Sequence, residues 1–134
     1  MTKNEYIDLG RAVVKDGRLQ ALQRHLRFSA TYVAEILGVS AMTYRTWISK
    51  PETNLWEKLA YKVGRFYNAS TAQLEQLDSD GIDLAGYRPL HAVAPLMGLP
   101  QEELLRRYRE GEFPAMDLGI LGLWVSDEER KRIA

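Results

Sequence analysis

Residues 30–48 read ATYVAEILGVSAMTYRTWI, and their pattern predicts two short helices joined by a tight turn. Ala34 is a small residue, as is needed where the second helix packs closely against the first. Gly38, four residues later, suits a turn that requires positive φ. Five apolar residues fall at inward positions on the two helices: Val33, Leu37, Val39, Tyr44 and Trp47. Together these features are much more specific than one glycine between two helices.

This window resembles the helix-turn-helix of phage repressors and related bacterial regulators. The resemblance implies that residues 40–50 form a recognition helix in the major groove of double-stranded DNA, with Ser40 as its cap at the DNA-facing end. The outward residues are then Ala41, Met42, Thr43, Arg45, Thr46 and Lys50. Arg45 suits a bidentate contact to guanine, whereas Met42 and Thr43 suit a thymine methyl group. Contacts to the phosphate backbone are expected from Thr31, Lys50, Lys58, Lys62 and Arg65.

Apolar periodicity predicts further helices on both sides of this window. The first carries Tyr6, Ile7, Val13 and Val14 with Asn4 as its cap, and the second, after Gly17, carries Leu19, Leu22 and Leu26. Ser29 is expected to cap the helix before Gly38, and Pro51 to end the helix after it. A fifth helix with Leu55, Leu59, Val63 and Phe66 begins near Thr53 or Asn54, and a separate short helix covers Thr71–Leu77. This stripe on the fifth helix fits the bundle core better than a dimer face. Residues 1–77 are therefore predicted to be a mainly α bundle, and residues 78–88, which contain DSDG, a linker.

The pattern recurs after a shift of 60 residues. Val93, Ala94, Met97, Gly98, Leu99 and Leu104 stand where the first copy has Val33, Ala34, Leu37, Gly38, Val39 and Tyr44. The stretch LMGLPQEELLRRYREGEFPAMDLGILGLWVSDEE resembles the winged helix-turn-helix of phage excisionases and MerR-type regulators. Its charged-Gly-x-apolar-Pro step is residues 110–114, and its two-stranded wing would be Ala115–Val125. We therefore expect residues 89–134 to form a small winged helix-turn-helix domain that ends in a helix capped by Ser126.

The second copy departs from its family pattern on the surface that would face DNA. Pro95 lies inside its first helix, Arg107 replaces a residue that is usually apolar, and Glu102 and Glu103 open the would-be recognition helix. The wing contains no Lys or Arg and includes Asp117. Gln101, Arg106 and Arg109 remain as candidate DNA contacts. The alternative is a protein contact through an exposed Leu105, Leu121 or Trp124.

Charge divides the chain in the same way. Residues 1–70 contain 11 Lys and Arg against 6 Asp and Glu, a net charge of +5, whereas residues 71–134 contain 7 against 12, a net charge of −5. A basic half is what a polyanion-binding module needs, and an acidic half repels the same polyanion. The charge distribution therefore points to the N-terminal half as the DNA-binding one.

The sequence offers no motif for catalysis or metal binding. It has no cysteine, and its two histidines, His25 and His91, are not in a metal-ligand spacing. DSDGID departs from a calcium loop at three positions. A P-loop, GxSxG and a glycine-rich dinucleotide turn are all absent. We therefore expect no enzymatic activity, no cofactor, no metal and no small-molecule ligand, and the lack of a long apolar run favours a cytoplasmic protein without a membrane partner.

The function expected from these features is sequence-specific binding of double-stranded DNA. A phage-type transcriptional (immunity) repressor that acts by promoter occupancy fits best. One alternative is an excisionase, a recombination directionality factor that bends DNA. The other is a protein-interaction module, or antirepressor, with a vestigial second helix-turn-helix. The sequence leaves open whether a monomer or a homodimer binds, and its last residues, KRIA, suggest a protease-recognition tail.

Overall fold

Eight α-helices and a three-stranded antiparallel sheet make up residues 1–133, the part of the chain that this computed structural model describes. Helical residues, including the short 3-10 helices Leu84–Gly86 and Gly119–Leu121, account for 69% of the chain, which confirms the expectation of a mainly α protein. The chain divides into two compact units, Met1–Ala72 and Gln73–Ala134. Ala134, the end of the suggested protease-recognition tail, lies outside the described residues. Between residues 1 and 133, no helix combines the length and apolarity that crossing a membrane would require.

The N-terminal unit begins with four short helices. They are α1 (Lys3–Lys15), α2 (Arg18–Leu26), α3 (Ala30–Leu37) and α4 (Ala41–Ser49). The caps predicted at Ser29 and Ser40 are confirmed, because their side chains accept hydrogen bonds from the backbone N–H groups of Tyr32 and Thr43. The cap predicted at Asn4 is wrong. Thr2 caps α1 instead, and Glu5 bonds back to the Thr2 backbone to complete a capping box.

The fifth helix, α5, is longer than the sequence pattern indicates. It spans Glu57–Ser79, so it starts after the predicted Thr53 or Asn54 and absorbs the separate helix expected at Thr71–Leu77. The run after Asn68 stays helical although it is polar, and within it the Thr71 hydroxyl donates back to the carbonyls of Tyr67 and Asn68. The division between the two units therefore falls inside α5, not in the predicted linker.

Two glycines allow α1 and α5 to approach at backbone distance. A Cβ built on Gly10 would overlap the carbonyl group of Ala60, and one built on Gly64 would overlap the carbonyl group of Tyr6. Both glycines are buried, and Ala60 is fully buried. The core near this crossing includes Val13 and Val63, each fully buried. This contact was not predicted from the sequence.

The C-terminal unit combines three short helices with the sheet. Its elements are β1 (Tyr87–Pro89), α6 (Leu90–Met97), α7 (Gln101–Arg109), β2 (Met116–Asp117), β3 (Leu123–Ser126) and α8 (Asp127–Ile133). Its core contains Leu90, Val93, Ala94, Leu104, Phe113 and Val125. The cap predicted at Ser126 is confirmed, since its hydroxyl accepts a hydrogen bond from Glu129 N–H.

The sheet has three strands instead of the two predicted. β3 lies in the centre, with β2 on one side and β1 on the other, and all pairs are antiparallel. Residues 87 and 88 belong to the predicted linker, but they pair with Ser126 and Val125 of β3. Three residues give too little alternation to distinguish a strand from a loop by sequence.

The 60-residue repeat is confirmed in the backbone geometry. Gly38 ends α3 with φ 73° and ψ 31°, and Gly98 ends α6 with φ 67° and ψ 27°. In each copy the residue after the glycine donates to the carbonyl of the alanine at 34 or 94, at 3.0 Å. Both copies therefore join an eight-residue helix to a nine-residue helix through the same turn.

Protonation of His91 is expected to destabilise the C-terminal unit as the pH falls from 7 to 4. Burial lowers the pKa of His91 from its ordinary value of 6.5 to about 4. A group whose pKa is lower in the folded than in the unfolded state stabilises the fold at pH values above its unfolded-state pKa. This stabilisation is lost as the pH falls through the folded-state pKa. Because the ring is partly exposed, we expect a loss of about 2 kcal/mol. Urea unfolding at a series of pH values between 7 and 4 measures this loss of unfolding free energy.

His91→Gln lacks this titration, so its unfolding free energy should fall less over the same pH range than that of the wild type. His25→Gln is the control, because His25 is exposed on α2. Equal pH dependence in the wild type and in His91→Gln would contradict the prediction.

Candidate nucleic-acid interface

Burial fixes the α3–α4 pair within the N-terminal unit. Ala34 is buried, and so are four of the five residues predicted to face inward: Val33, Leu37, Tyr44 and Trp47. Val39 is only half-buried because it lies in the turn after Gly38. Tyr44 and Trp47 meet edge to face, with ring centroids 6.1 Å apart. These contacts settle which face of α4 is directed inward.

Tyr44 also anchors α4 to α2. Its hydroxyl donates a hydrogen bond to Oε1 of Gln23 at 2.7 Å. Burial raises the pKa of Tyr44 to about 12, so the hydroxyl keeps its proton at neutral pH. The bond therefore links α4 to α2 in addition to the packing of its buried face.

The opposite face of α4 is open to solvent. Met42, Arg45, Thr46 and Lys50 are exposed, whereas Ala41 and Thr43 are half-buried. Arg45 and Lys50 form no ion pair within residues 1–133. The segment from Ser40 to Lys50 contains no Asp or Glu. The six residues predicted to face outward therefore form one accessible surface whose only full charges are positive.

Hydroxyl groups at the start of α4 are ordered by local bonds. The Ser40 hydroxyl accepts from Thr43 N–H at 3.0 Å and donates to the Thr43 hydroxyl at 2.9 Å. The Thr46 hydroxyl donates to the Met42 carbonyl at 2.9 Å. The Thr43 hydroxyl hydrogen has no acceptor among the described residues, so it remains available to an outside partner.

The predicted backbone-contact residues have different environments. Thr31, Lys58 and Lys62 are exposed. The Lys62 ammonium group lies 3.4 Å from the position that a Cβ on Gly38 would take, so this cation borders the α3–α4 turn. Arg65 is held against two tyrosines: its guanidinium lies 5.7 Å from the ring centroids of Tyr6 and Tyr61. Lys62 is thus the α5 cation that the structure brings to the α3–α4 pair.

The matching surface of α7 has a different charge arrangement. Arg106 bonds to Glu103 at 2.5 Å and to Glu110 at 2.6 Å, and both carboxylates raise the pKa of Arg106. Arg107 pairs with Glu103 and Glu112 at 3.4 and 3.8 Å. Gln101 and Arg109 are exposed, and Arg109 has no ion pair within residues 1–133. The carboxylates therefore neutralise most of the positive charge on α7.

Two of the three residues considered for a protein contact are unavailable. Leu121 and Trp124 are each 1% exposed, and the Trp124 indole N–H donates to the Leu121 carbonyl at 2.8 Å. Leu105 is half-buried against the core. The expectation that Leu121 or Trp124 is exposed is wrong, because the strand that carries Trp124 is central in the sheet and is not the edge of a free hairpin.

Two residues that shape the N-terminal unit were not predicted from the sequence. Gln23 holds Tyr44, but a glutamine beside the leucine stripe of α2 gives no signal of this. Trp56 lies just before α5 and is 83% exposed, more than any other large hydrophobic residue described. Its position next to Leu55, one residue off the apolar stripe, is a signal that could have identified it as outward-facing.

Comparisons of this chain with protein-family models, with curated proteins and with solved structures found no match.

Proposed function

We propose that this protein binds double-stranded DNA in a sequence-specific manner, with α3–α4 as a helix-turn-helix and α4 as the recognition helix. One observation carries the proposal: the accessible face of α4 presents Arg45, and the exposed Lys50 directly follows the helix, with no carboxylate between Ser40 and Lys50. A helix of this kind fits the width of the major groove, and unpaired cations are what phosphate and guanine contacts require. The buried face, held by Tyr44 and Trp47, supplies the rigidity that direct readout of bases needs.

The exposed side chains of α4 divide into two roles in this proposal. Arg45 makes the bidentate contact to guanine, while Met42, which is 78% exposed, meets a thymine methyl group together with Thr43. Thr31, Lys50 and Lys62 contact phosphates, which fix the register of the protein but do not read sequence.

We propose that the C-terminal unit is a winged helix-turn-helix variant. In this proposal it contacts a protein and not DNA. The ion pairs of Arg106 and Arg107 favour this assignment, because freeing either arginine for phosphate would expose carboxylates to the DNA. The segment Ala115–Val125 carries Asp117 and no cation. Gln101, Arg106 and Arg109 accordingly play no part in the base contacts that we propose.

The biological role that we propose is a phage-type immunity repressor that maintains lysogeny by occupying a promoter in the host cytoplasm, without catalysis or a cofactor. Footprints at promoters support this role, whereas footprints at attachment sites support a recombination directionality factor. A homodimer predicts a palindrome with half-sites about one helical turn apart, and a monomer predicts one asymmetric site.

Arg45→Ala is expected to weaken binding about 5- to 150-fold and to relax specificity at one base position, since a bidentate base contact contributes about 1–3 kcal/mol. The measurement is an electrophoretic shift titration on duplexes selected from a random pool. Binding by the wild type should weaken steeply with added salt, as phosphate neutralisation requires.

Lys15→Ala is the matched control, because it removes one exposed cation from α1. It should bind within about twofold of the wild type, and so should Arg106→Ala/Arg109→Ala. Failure of the wild type to bind any duplex at low salt would overturn the proposed function. A loss in the double variant as large as that in Arg45→Ala would overturn the assignment of the C-terminal unit.

A further inference from the structure

We infer that the N-terminal unit has a second binding site, an open groove at the start of α1 and α5 that accepts a nucleotide. The groove has a volume of about 840 Å³. Its lining combines the exposed indole of Trp56 with the Tyr61 ring and three cations, Lys3, Arg11 and Lys58. None of these residues belongs to the accessible face of α4, so the site does not depend on the proposed duplex contacts.

The aromatic part of the groove suits a planar ring. Trp56 is 83% exposed and lines the groove, so its indole, with one apolar and one polar part, is open to a planar ring. Tyr61 is fixed from behind, because it meets Tyr6 edge to face at 5.7 Å and its hydroxyl accepts a hydrogen bond from Arg65 at 3.1 Å. An exposed indole next to a tyrosine held by its neighbours provides stacking surface for a base.

The cations of the groove suit a phosphate. Arg11 is half-buried, and its Nε donates to the Leu55 carbonyl at 3.0 Å, which holds the guanidinium in place. The terminal nitrogens of Arg11 have no other partner among the described residues, so they are preorganised donors for an oxyanion. Lys3 and Lys58 are exposed and form no ion pair within residues 1–133.

The cations outnumber the carboxylate in the groove, and the remaining polar groups offer hydrogen-bond partners for a base edge. Glu57 is the single carboxylate in the lining, against three cations, and Asn54 adds an amide. A nucleotide satisfies this set in full, since its base stacks and hydrogen-bonds while its phosphate meets the cations. The volume is within the range of about 300–1,000 Å³ typical of small-molecule sites, and it exceeds what a single acidic side chain occupies.

The test is a titration of intrinsic tryptophan fluorescence on the full chain. Trp47 and Trp124 are buried, so quenching by a stacked base reports mainly on Trp56. The probes are adenosine monophosphate, a hexamer of deoxyadenosine and an acidic hexapeptide of the same charge as the hexamer. If the monophosphate quenches saturably at a concentration equal to or lower than the hexamer needs, the ligand is a free nucleotide. If the hexamer binds clearly more tightly than the monophosphate, the ligand is a single strand.

Calorimetry should then show that Lys58→Ala and Trp56→Ala each weaken binding about 10-fold, and that Trp56→Phe restores part of the loss. Lys15→Ala and Arg45→Ala should bind the probe like the wild type, which separates this site from the duplex-binding surface. The inference is overturned if neither nucleotide probe binds at millimolar concentration, if both groove variants bind like the wild type, or if the acidic peptide binds in preference.

Discussion

Gly64→Ala is expected to lower the unfolding free energy of the N-terminal unit by about 3 kcal/mol, the upper end of the usual cost of overpacking. Helix propensity alone predicts the opposite sign, because alanine is favoured over glycine inside a helix by about 1 kcal/mol. Packing decides the outcome. A Cβ on Gly64 would overlap the backbone carbonyl of Tyr6, and a backbone atom cannot rotate away as a flexible side chain can. The helices α1 and α5 would have to separate.

Urea unfolding followed by circular dichroism measures this effect. Gly10→Ala is a second test of the same crossing, since its Cβ would overlap the carbonyl of Ala60. Gly86→Ala, in the C-terminal unit, is a control for the same substitution without an overlap: a Cβ there meets open space, so its effect on the unfolding free energy should stay within about 0.5 kcal/mol. If Gly64→Ala were as stable as the wild type or more so, the close approach of the two helices would be wrong.

The sequence predicted the parts of this fold that depend on local chemistry. Ser29 and Ser40 cap their helices as expected, because a serine directly before an apolar-periodic run can accept a hydrogen bond from a free backbone N–H group of the first helical turn. Gly38 and Gly98 take the positive φ that their turns require. The repeat at 60 residues followed from the same local signals.

Features set by contacts between distant segments were not predictable. The Tyr44–Gln23 bond joins residues 21 positions apart, and nothing in the composition of α2 indicates it. β1 is recognisable only by its pairing with β3, because Tyr87–Pro89 has no strand pattern of its own. The glycines at 10 and 64 read as weak helix formers, although their lack of a side chain is what lets α1 and α5 meet.

The sequence identified the residues of the candidate interfaces but not which of their charged side chains form ion pairs. The pattern placed Met42, Arg45 and Lys50 on the outer face of the second helix; all three are exposed, although Lys50 lies just after the end of α4. It also offered Arg106 as a DNA contact, without indicating that Glu103 and Glu110 engage that arginine from both sides. Helical spacings of three and four residues allow such pairs, but only side-chain geometry shows which of them form.

Trp47→Ala is expected to lower the unfolding free energy of the N-terminal unit by about 3–5 kcal/mol, whereas Trp56→Ala should change it by less than about 0.5 kcal/mol. The two tryptophans are nine positions apart in sequence but have opposite environments. Trp47 is 3% exposed and packs against Tyr44, so its removal opens a cavity beneath α4. Trp56 is 83% exposed, so alanine there removes little buried surface.

Urea titrations of both variants give the two free energies, and a linear fit with an unchanged slope shows whether each still unfolds as a cooperative unit. The comparison also separates the two proposed sites. Trp47→Ala should lose duplex binding because the position of α4 is no longer fixed, although Trp47 itself is buried and touches no DNA in the proposal. Trp56→Ala should keep duplex binding and bind the nucleotide about 10-fold more weakly. Equal destabilisation by the two substitutions would mean that Trp56 is part of the core, and the groove that it borders would then have no exposed aromatic face with which to hold a base.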